Sequence, residues 1–338
     1  MKILPIVKSR VNHLSYDPEV DGVTNSLLAN WGGCRERARL SLKGYVKRGA
    51  SFALTYGDLT HWLLQHVYED HRAGKLPLTN GSLSPVYVKN KIATLDRIWR
   101  EENPTVSPET QQQAELTMML NKSAMPLYFE HWKRDFTEIE WVGLESEFKI
   151  PFEVTRNGIT YKTFLRGKRD GVFRRGKRLR LFETKTKSRI DEGTLVDILP
   201  FESQVNFYLI AMWEETGEVP GGVLYNIVRR PALRQKKNES ITQFAARLVD
   251  DIQSRPLWYY LRQNMVVDAK ELDRYRGELE DRVWEFMHWW RGEASHWRES
   301  SQCENKYGVC PYLSVCSRGD YAALTMKTKI FTELGDDL

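Results

Sequence analysis

The chain has 338 residues, 41% of them apolar and 11 of them tryptophan, enough to bury a large core in one elaborated domain or two. Lys and Arg exceed Asp and Glu by 50 to 45, a net charge of +5 that is too small to require a nucleic-acid partner unless the basic residues cluster. Residues 1–10 hold no sustained apolar stretch, and the strongest short apolar run, residues 207–213, ends at Glu214 and Glu215, so neither a signal peptide nor a membrane span is expected. The expected setting is a reducing one, the cytoplasm of a bacterial, archaeal or phage-infected cell.

In chain order, apolar periodicity predicts helices over residues 56–71, 86–100 and 108–136, with Pro77, Asn80, Gly81, Ser82 and Pro85 marking a loop over 75–85. The period then changes. Val142, Leu144, Phe148 and Ile150 alternate with Glu145, Glu147 and Lys149, the pattern of a half-buried strand. Strands are predicted over 160–172, 178–185 and 223–228, a helix over 200–216 between the last two, and helices over 241–254 and 270–298. This order favours an α/β fold with a mixed central sheet between helices. The expected organisation is a single elaborated domain over 1–338, with a mainly helical part (1–140), a sheet core (141–230) and a helical C-terminal part (231–338).

Gly176-Lys177 suits a two-residue hairpin loop, because glycine at the first central position fits a type II′ turn. That register pairs Arg175 with Arg178 and, counted outward, Asp170 with Glu183. Opposed strand residues have Cβ atoms about 4.5–5.5 Å apart, close enough for two carboxylates to share a cation and repulsive without one. Glu183 and Lys185 project from the same face of their strand. A hard divalent ion on oxygen ligands would explain the carboxylates, and Lys185 could orient a water, lower its pKa or stabilise a pentavalent phosphate. The alternative is a surface salt-bridge ladder of Asp170, Glu183 and Lys185.

Asp170 followed by Glu183-x-Lys185 resembles the motif of the PD-(D/E)XK nuclease superfamily, and the chain is more similar to its RecB-type branch than to its restriction-enzyme branch. The resemblance implies that His61, in Gly57-x-x-x-His61, joins Asp170 and Glu183 as a ligand of Mg²⁺ or Mn²⁺. It also implies that Gln204 and Tyr208, spaced i, i+4 on the helix after the Glu-x-Lys strand, lie beside the site, and that Glu147 is an additional glutamate. Leu59, Trp62, Leu63, His66 and Val67 form one helical stripe, with Gly57, His61 and Leu64 on the other side. His66 is therefore read as structural, and Gly57 as permitting close approach of the helix to the sheet. Arg169 stands where the motif's name has proline.

The only cysteines are Cys34, Cys303, Cys310 and Cys316. In a reducing compartment they read as metal ligands rather than disulfides, and the tight Cys-x-x-Cys knuckles of zinc ribbons are missing. One remote cysteine plus a C-terminal triplet resembles the 4Fe-4S nucleases of the same superfamily, among them CRISPR-adaptation nucleases and helicase-associated or phage exonucleases. The resemblance implies a cluster that clasps Cys34 to the C-terminal segment, with zinc in the same pocket as the alternative.

Two basic segments, 166–180 and 229–237, supply candidate nucleic-acid contacts at Arg174, Arg175, Lys177, Arg229, Arg230, Arg234, Lys236 and Lys237. There is no phosphate-loop motif and no Gly-x-Ser-x-Gly nucleophile elbow. Trp284, Phe286, Trp289, Trp290 and Trp297 could stack on bases, but their spacing reads as core. The expected function is a metal-dependent DNA nuclease, an exonuclease on single strands or exposed ends, with a helicase or recombination partner. A structure-specific endonuclease and a silent nucleic-acid-binding adaptor are the alternatives.

Overall fold

The computed structural model describes residues 16–48, 54–188, 190–305, 308–332 and 334. The N-terminal stretch read for an export signal lies outside them. Helix starts follow side-chain capping. Thr55 and Asp58 form a reciprocal capping box at the head of Tyr56–Arg72, Ser240 and Gln243 one at Ile241–Ser254, and Asp268 and Glu271 one at Ala269–Trp290. With Asn25–Gly33 (α1) and Arg35–Leu42 (α2) in front, these helices are α3, α7 and α8. Pro85–Glu102 (α4), Pro108–His131 (α5) and Ser203–Thr216 (α6) lie between.

Two predicted helices are shorter than their periodicity suggests. α5 stops at His131, and a separate turn, Asp135–Glu138, takes the chain into the sheet. α8 stops at Trp290 because Gly292 adopts φ +87°, a left-handed conformation that ends the helix, and its N–H bonds the Trp289 carbonyl at 3.0 Å. The predicted loop 75–85 carries a minimal hairpin, Leu78–Thr79 with Ser82–Leu83.

Five strands make the sheet: β1 (Glu140–Arg156), β2 (Ile159–Arg175), β3 (Arg178–Lys187), β4 (Val223–Arg229) and β5 (Tyr260–Met265), in spatial order 1-2-3-4-5. Every pair is antiparallel except β3–β4, which is parallel and is connected through α6, as a parallel pair requires. Asn157 and Gly158, both at positive φ, turn β1 into β2. Gly176 at φ +65° turns β2 into β3, with Arg175 opposite Arg178 as the hairpin reading requires. The edge strand β5 carries Arg262, Gln263 and Asn264 in its middle, which masks any strand alternation in the sequence.

The sheet is covered on both faces. One core packs it against α1, α6 and α8, where Phe286 and Trp289 are fully buried, and the other packs it against α3, α5 and α7. β1 serves both layers. A bulge between Trp141 and Gly143 leaves Val142 47% exposed rather than inward. Leu144 then packs in the α3–α5 layer, whereas Phe148 and Ile150 pack in the α6–α8 layer. The switch falls at Glu145, held at φ +44°, so a single two-residue alternation does not describe this strand. At the chain ends Tyr45–Lys47 pairs antiparallel with Leu324–Met326, and the Tyr312 hydroxyl donates to the Tyr45 carbonyl at 2.7 Å. No helix among the described residues is long and apolar enough to cross a membrane.

Candidate active site

The site forms where β2 and β3 part. Their ladder runs from Arg175↔Arg178 to Gly171↔Phe182 and stops there. One residue further, the Asp170 carboxylate replaces the ladder bond and accepts the Thr184 N–H at Oδ2, 2.7 Å. The hairpin register holds as far as Gly171 and Phe182, and the backbone pair expected between Asp170 and Glu183 is exchanged for a side-chain bond. Parting the strands leaves Asp170 Oδ1 turned toward α3.

α3 brings His61 to that oxygen. Gly57, one turn earlier, is the reason it can: a Cβ there would stand 2.8 Å from Thr186 Oγ1 on β3. His61 Nδ1 lies 3.4 Å from Asp170 Oδ1 and 3.7 Å from Glu145 Oε1. Among the described residues, His61, Glu145 and Asp170 form the one group of three or more metal-ligating side chains whose ligand atoms all lie within 4.8 Å of one another. Lys168 neutralises the second Glu145 oxygen at 2.7 Å. Burial draws the His61 imidazole toward its neutral form, but hydrogen bonds and charge from Asp170 and then Glu145 outweigh it and raise its pKa to about 10.

Glu183 borders this group and is 1% exposed. Its Oε1 accepts from Lys185 Nζ at 2.6 Å, while its Oε2 is buried with no hydrogen-bond partner. Burial first, and the Asp170 charge second, push its pKa up to about 8 against the pull of Lys185. Lys185 is itself shifted upward, because the Glu183 charge and hydrogen bond offset the cost of burial. The two shifts bear oppositely on the pair. The ammonium is secured, and the carboxylate lacks enough positive charge for its depth. A cation shared by His61, Glu145, Asp170 and Glu183 Oε2 would supply it, so the donor set fits a hard divalent ion.

Lys185 is held from the other side. Gln204 Oε1 accepts from Nζ at 2.6 Å, and Gln204 Nε2 donates to the Tyr208 hydroxyl at 3.1 Å, so the i, i+4 pair on α6 does reach the site. Behind the strand, Thr184 Oγ1 accepts from Asn226 Nδ2 at 3.2 Å, and Asn226 Oδ1 accepts from Tyr128 at 3.0 Å and from Arg262 Nε at 3.0 Å. Arg262 is locked by a bidentate pair with buried Asp135, both bonds 2.6 Å. This network pins the residue between Glu183 and Lys185.

Other candidates fall elsewhere. Glu147 lies opposite Lys168 in the β1–β2 ladder, and the structure brings Glu145 to the ligand group in its place. The sequence carries no signal for this beyond an acidic residue two positions earlier, because the face switch at Glu145 comes from backbone geometry. Arg169, in the motif's proline position, is buried over Phe148 and bonded to Glu215. His66 stacks on Trp62 and shares its ring nitrogen with the Trp62 carbonyl. The hairpin tip, with Arg174 near Glu218 and Arg175 on Glu138, lies at one end of β3, and Arg229 lies beside Lys187 at the other.

The cysteines lie near the joined chain ends without forming a cluster. Cys34 caps α2 and is buried, Cys310 N–H donates to the Cys303 carbonyl at 2.8 Å, and Arg298 donates to the Cys316 carbonyl. Burial, Glu36 and then the nearby Cys310 and Cys34 raise the Cys316 thiol. No three of the four sulfurs lie within 4.8 Å of one another.

Against known proteins, the profile of the PD-(D/E)XK nuclease superfamily matches residues 26–317. No curated protein matches the chain. Solved structures with some likeness include a candidate exonuclease from Eubacterium rectale, 12% identical over 81% of this chain and 83% of that one with a TM-score of 0.36, and a protein named SSO0001, 16% identical over 79% and 98% with a TM-score of 0.26.

Proposed function

Because the chain belongs to the PD-(D/E)XK nuclease superfamily, we propose that it hydrolyses DNA phosphodiester bonds with Mg²⁺ or Mn²⁺ held by His61, Glu145, Asp170 and Glu183. The observation that carries this reading is the buried, partnerless Glu183 Oε2, whose carboxylate interacts by charge with Asp170 and His61 of the three-residue ligand group. A divalent ion supplies Lewis acidity toward the phosphate and eases deprotonation of water. The chain's own residues orient and stabilise. Lys185, kept as an ammonium, donates to charge developing on the phosphate and cannot serve as the base that takes the water's proton. Gln204 and Tyr208 fix the direction in which Nζ points.

The resemblance to RecB-type nucleases supports an exonuclease that acts on single-stranded DNA or exposed ends, working with a helicase or recombination partner. It also supports a 4Fe-4S cluster on Cys34, Cys303, Cys310 and Cys316. The nearness of Cys34 and Cys310 to Cys316 fits one shared site, with zinc as the alternative occupant. End-labelled linear single strands, duplexes and covalently closed single-stranded circles, each incubated with Mg²⁺, Mn²⁺ or EDTA, test the activity. Metal-dependent loss of linear single strands with circles intact is expected. Circles cut as fast as linear strands would replace the exonuclease reading by an endonuclease, and no cleavage with either metal would leave the binding adaptor.

A further inference from the structure

We propose that a pocket at the C-terminal end of β4 binds a phosphate group of the substrate strand, a reading that rests on the nuclease proposal above. The pocket, about 300 Å³, is lined by Ser188, Arg229, Arg230, Arg255, Trp258 and Tyr259 among others. Arg229 is its built element. The residue is 3% exposed, its guanidinium lies 3.7 Å from the centre of the Trp258 ring, and its Nε donates to the Trp258 carbonyl at 2.7 Å. Its Nη2 is buried with no partner. A buried guanidinium nitrogen without an acceptor is destabilising, and an anion in this pocket is the natural acceptor.

The surroundings favour phosphate on a nucleotide. Arg230 is exposed beside Arg229, and Arg255, paired with Asp251, adds a third guanidinium. Trp258 remains 45% exposed, leaving aromatic surface for a base or sugar. The strand register gives the distance to the chemistry. Lys185 pairs with Ile227 and Lys187 with Arg229, so Arg229 lies two residues beyond the Lys185 row, about 7 Å along the sheet at ~3.3 Å per residue. Neighbouring phosphates of one strand could occupy both places. The hairpin-tip arginines, at the other end of β3, are too far along the sheet to share that short path.

The test is binding of a short 3′-labelled single-stranded DNA, with either a 5′-phosphate or a 5′-hydroxyl, by fluorescence anisotropy in EDTA over a salt series. Arg229→Gln with Arg230→Ala should weaken binding roughly tenfold or more and reduce the slope of log affinity against log salt by about 0.7 per lost contact. Arg229→Lys should keep the slope and lose part of the affinity, since it retains charge without the planar fork. A loss confined to the 5′-phosphorylated strand assigns the pocket to a terminal phosphate, and an equal loss on both assigns it to an internal phosphodiester. A folded double variant that binds both strands with unchanged affinity and slope overturns the proposal. If the double variant does not fold, Arg230→Ala and Arg255→Ala alone, on exposed side chains, decide it by the same slope. Wild-type protein that binds but cuts nothing with Mg²⁺ or Mn²⁺ would instead sink the nuclease reading and leave the pocket standing.

Discussion

The carboxylate group and the cysteine group are each assembled from residues far apart in sequence, and they are held in different ways. His61, Glu145, Asp170 and Glu183 sit on one long helix and three neighbouring strands whose register is fixed by ladder bonds and by two buried cores. The ligand atoms of His61, Glu145 and Asp170 therefore converge before any ion binds, with Glu183 in charge contact with them, at the cost of two groups with displaced pKa values. The cysteines sit on a helix cap, on a turn and a loop flanking two-residue strands, and on the six-residue helix Leu313–Arg318, joined by the small Tyr45–Lys47/Leu324–Met326 pair. Deep secondary structure preorganises the first group. The second has less scaffold of its own, so a bound cofactor would contribute more to its order.

The sharpest way to break this contrast is to remove a ligand from each group. Asp170→Ala should reduce single-turnover cleavage by at least ~10³-fold, and Lys185→Ala by about 10²–10³-fold, with folding and DNA binding largely retained because the scaffold does not depend on the ion. Near-normal rates in both variants would remove the site. Cys34→Ser should act in the reverse sense: stability falls by an order of 3–5 kcal/mol, with lost visible absorption and lower soluble yield. Iron, sulfide and zinc analysis of anaerobically purified protein reads the same question directly, and stoichiometric zinc without iron would refute the cluster.

Glu145 and Glu147 sharpen the first half of the comparison. Glu145→Gln should weaken Mn²⁺ binding by roughly 10–100-fold in a calorimetric titration, whereas Glu147→Gln should leave it near wild type. Equal effects would mean that the face switch at Glu145 does not select the ligand.

The displaced pKa values predict how metal-free protein responds to pH. With its pKa raised to about 8, Glu183 keeps a proton in the folded state that the unfolded chain releases, so stability falls as pH rises from the ordinary carboxylate range to about 8. His61 works in the same direction. Its protonated form contributes stability that is fully present below the ordinary imidazole value and is lost as pH rises through about 10. Melting in EDTA should therefore lose stability with rising pH, by an order of a few kcal/mol at most, and Glu183→Gln should remove the lower part of that fall. Added Mn²⁺ should flatten the profile, since bound cation takes the place of bound protons. A flat profile in EDTA would show that these groups are not buried together.

Gly57→Ala should cost about 1–3 kcal/mol, because its new Cβ would meet Thr186 Oγ1 at 2.8 Å and lift α3 from the sheet. Metal affinity should drop with it through His61, and Thr186→Ala in the same chain should restore both. No change in either quantity would show that the helix does not need this close approach.

Much of the fold was legible locally. The helices at Tyr56, Pro108 and Ile241, the first four strands of the sheet and the Gly176-Lys177 hairpin follow from periodicity, caps and a glycine at the turn, all of which act within a few residues. The edge strand β5 was not legible. Its Arg262 is buried by Asp135, Tyr128 and Asn226, partners more than thirty positions away in sequence, so a polar residue that reads as surface is interior. α1 and α2 likewise gain their order from the joined chain ends, with Glu36 N–H on the Trp297 carbonyl and the C-terminal strand beside Tyr45–Lys47.

The amino-acid sequence by itself determined which acids could meet: hairpin register is arithmetic, and 170 and 183 are equidistant from the turn, as the observed ladder bears out up to Gly171↔Phe182. Helical spacing likewise put Gly57 and His61 on one side of their helix and Gln204 and Tyr208 on one side of theirs. Only the tertiary structure decided that the strands part at Asp170, that Glu145 and not Glu147 turns toward His61, and that Glu183 is buried with one oxygen unanswered. The reason is physical. Spacing sets which face a side chain takes, but a left-handed residue inside a strand reverses the faces beyond it, and burial depends on layers contributed by distant segments.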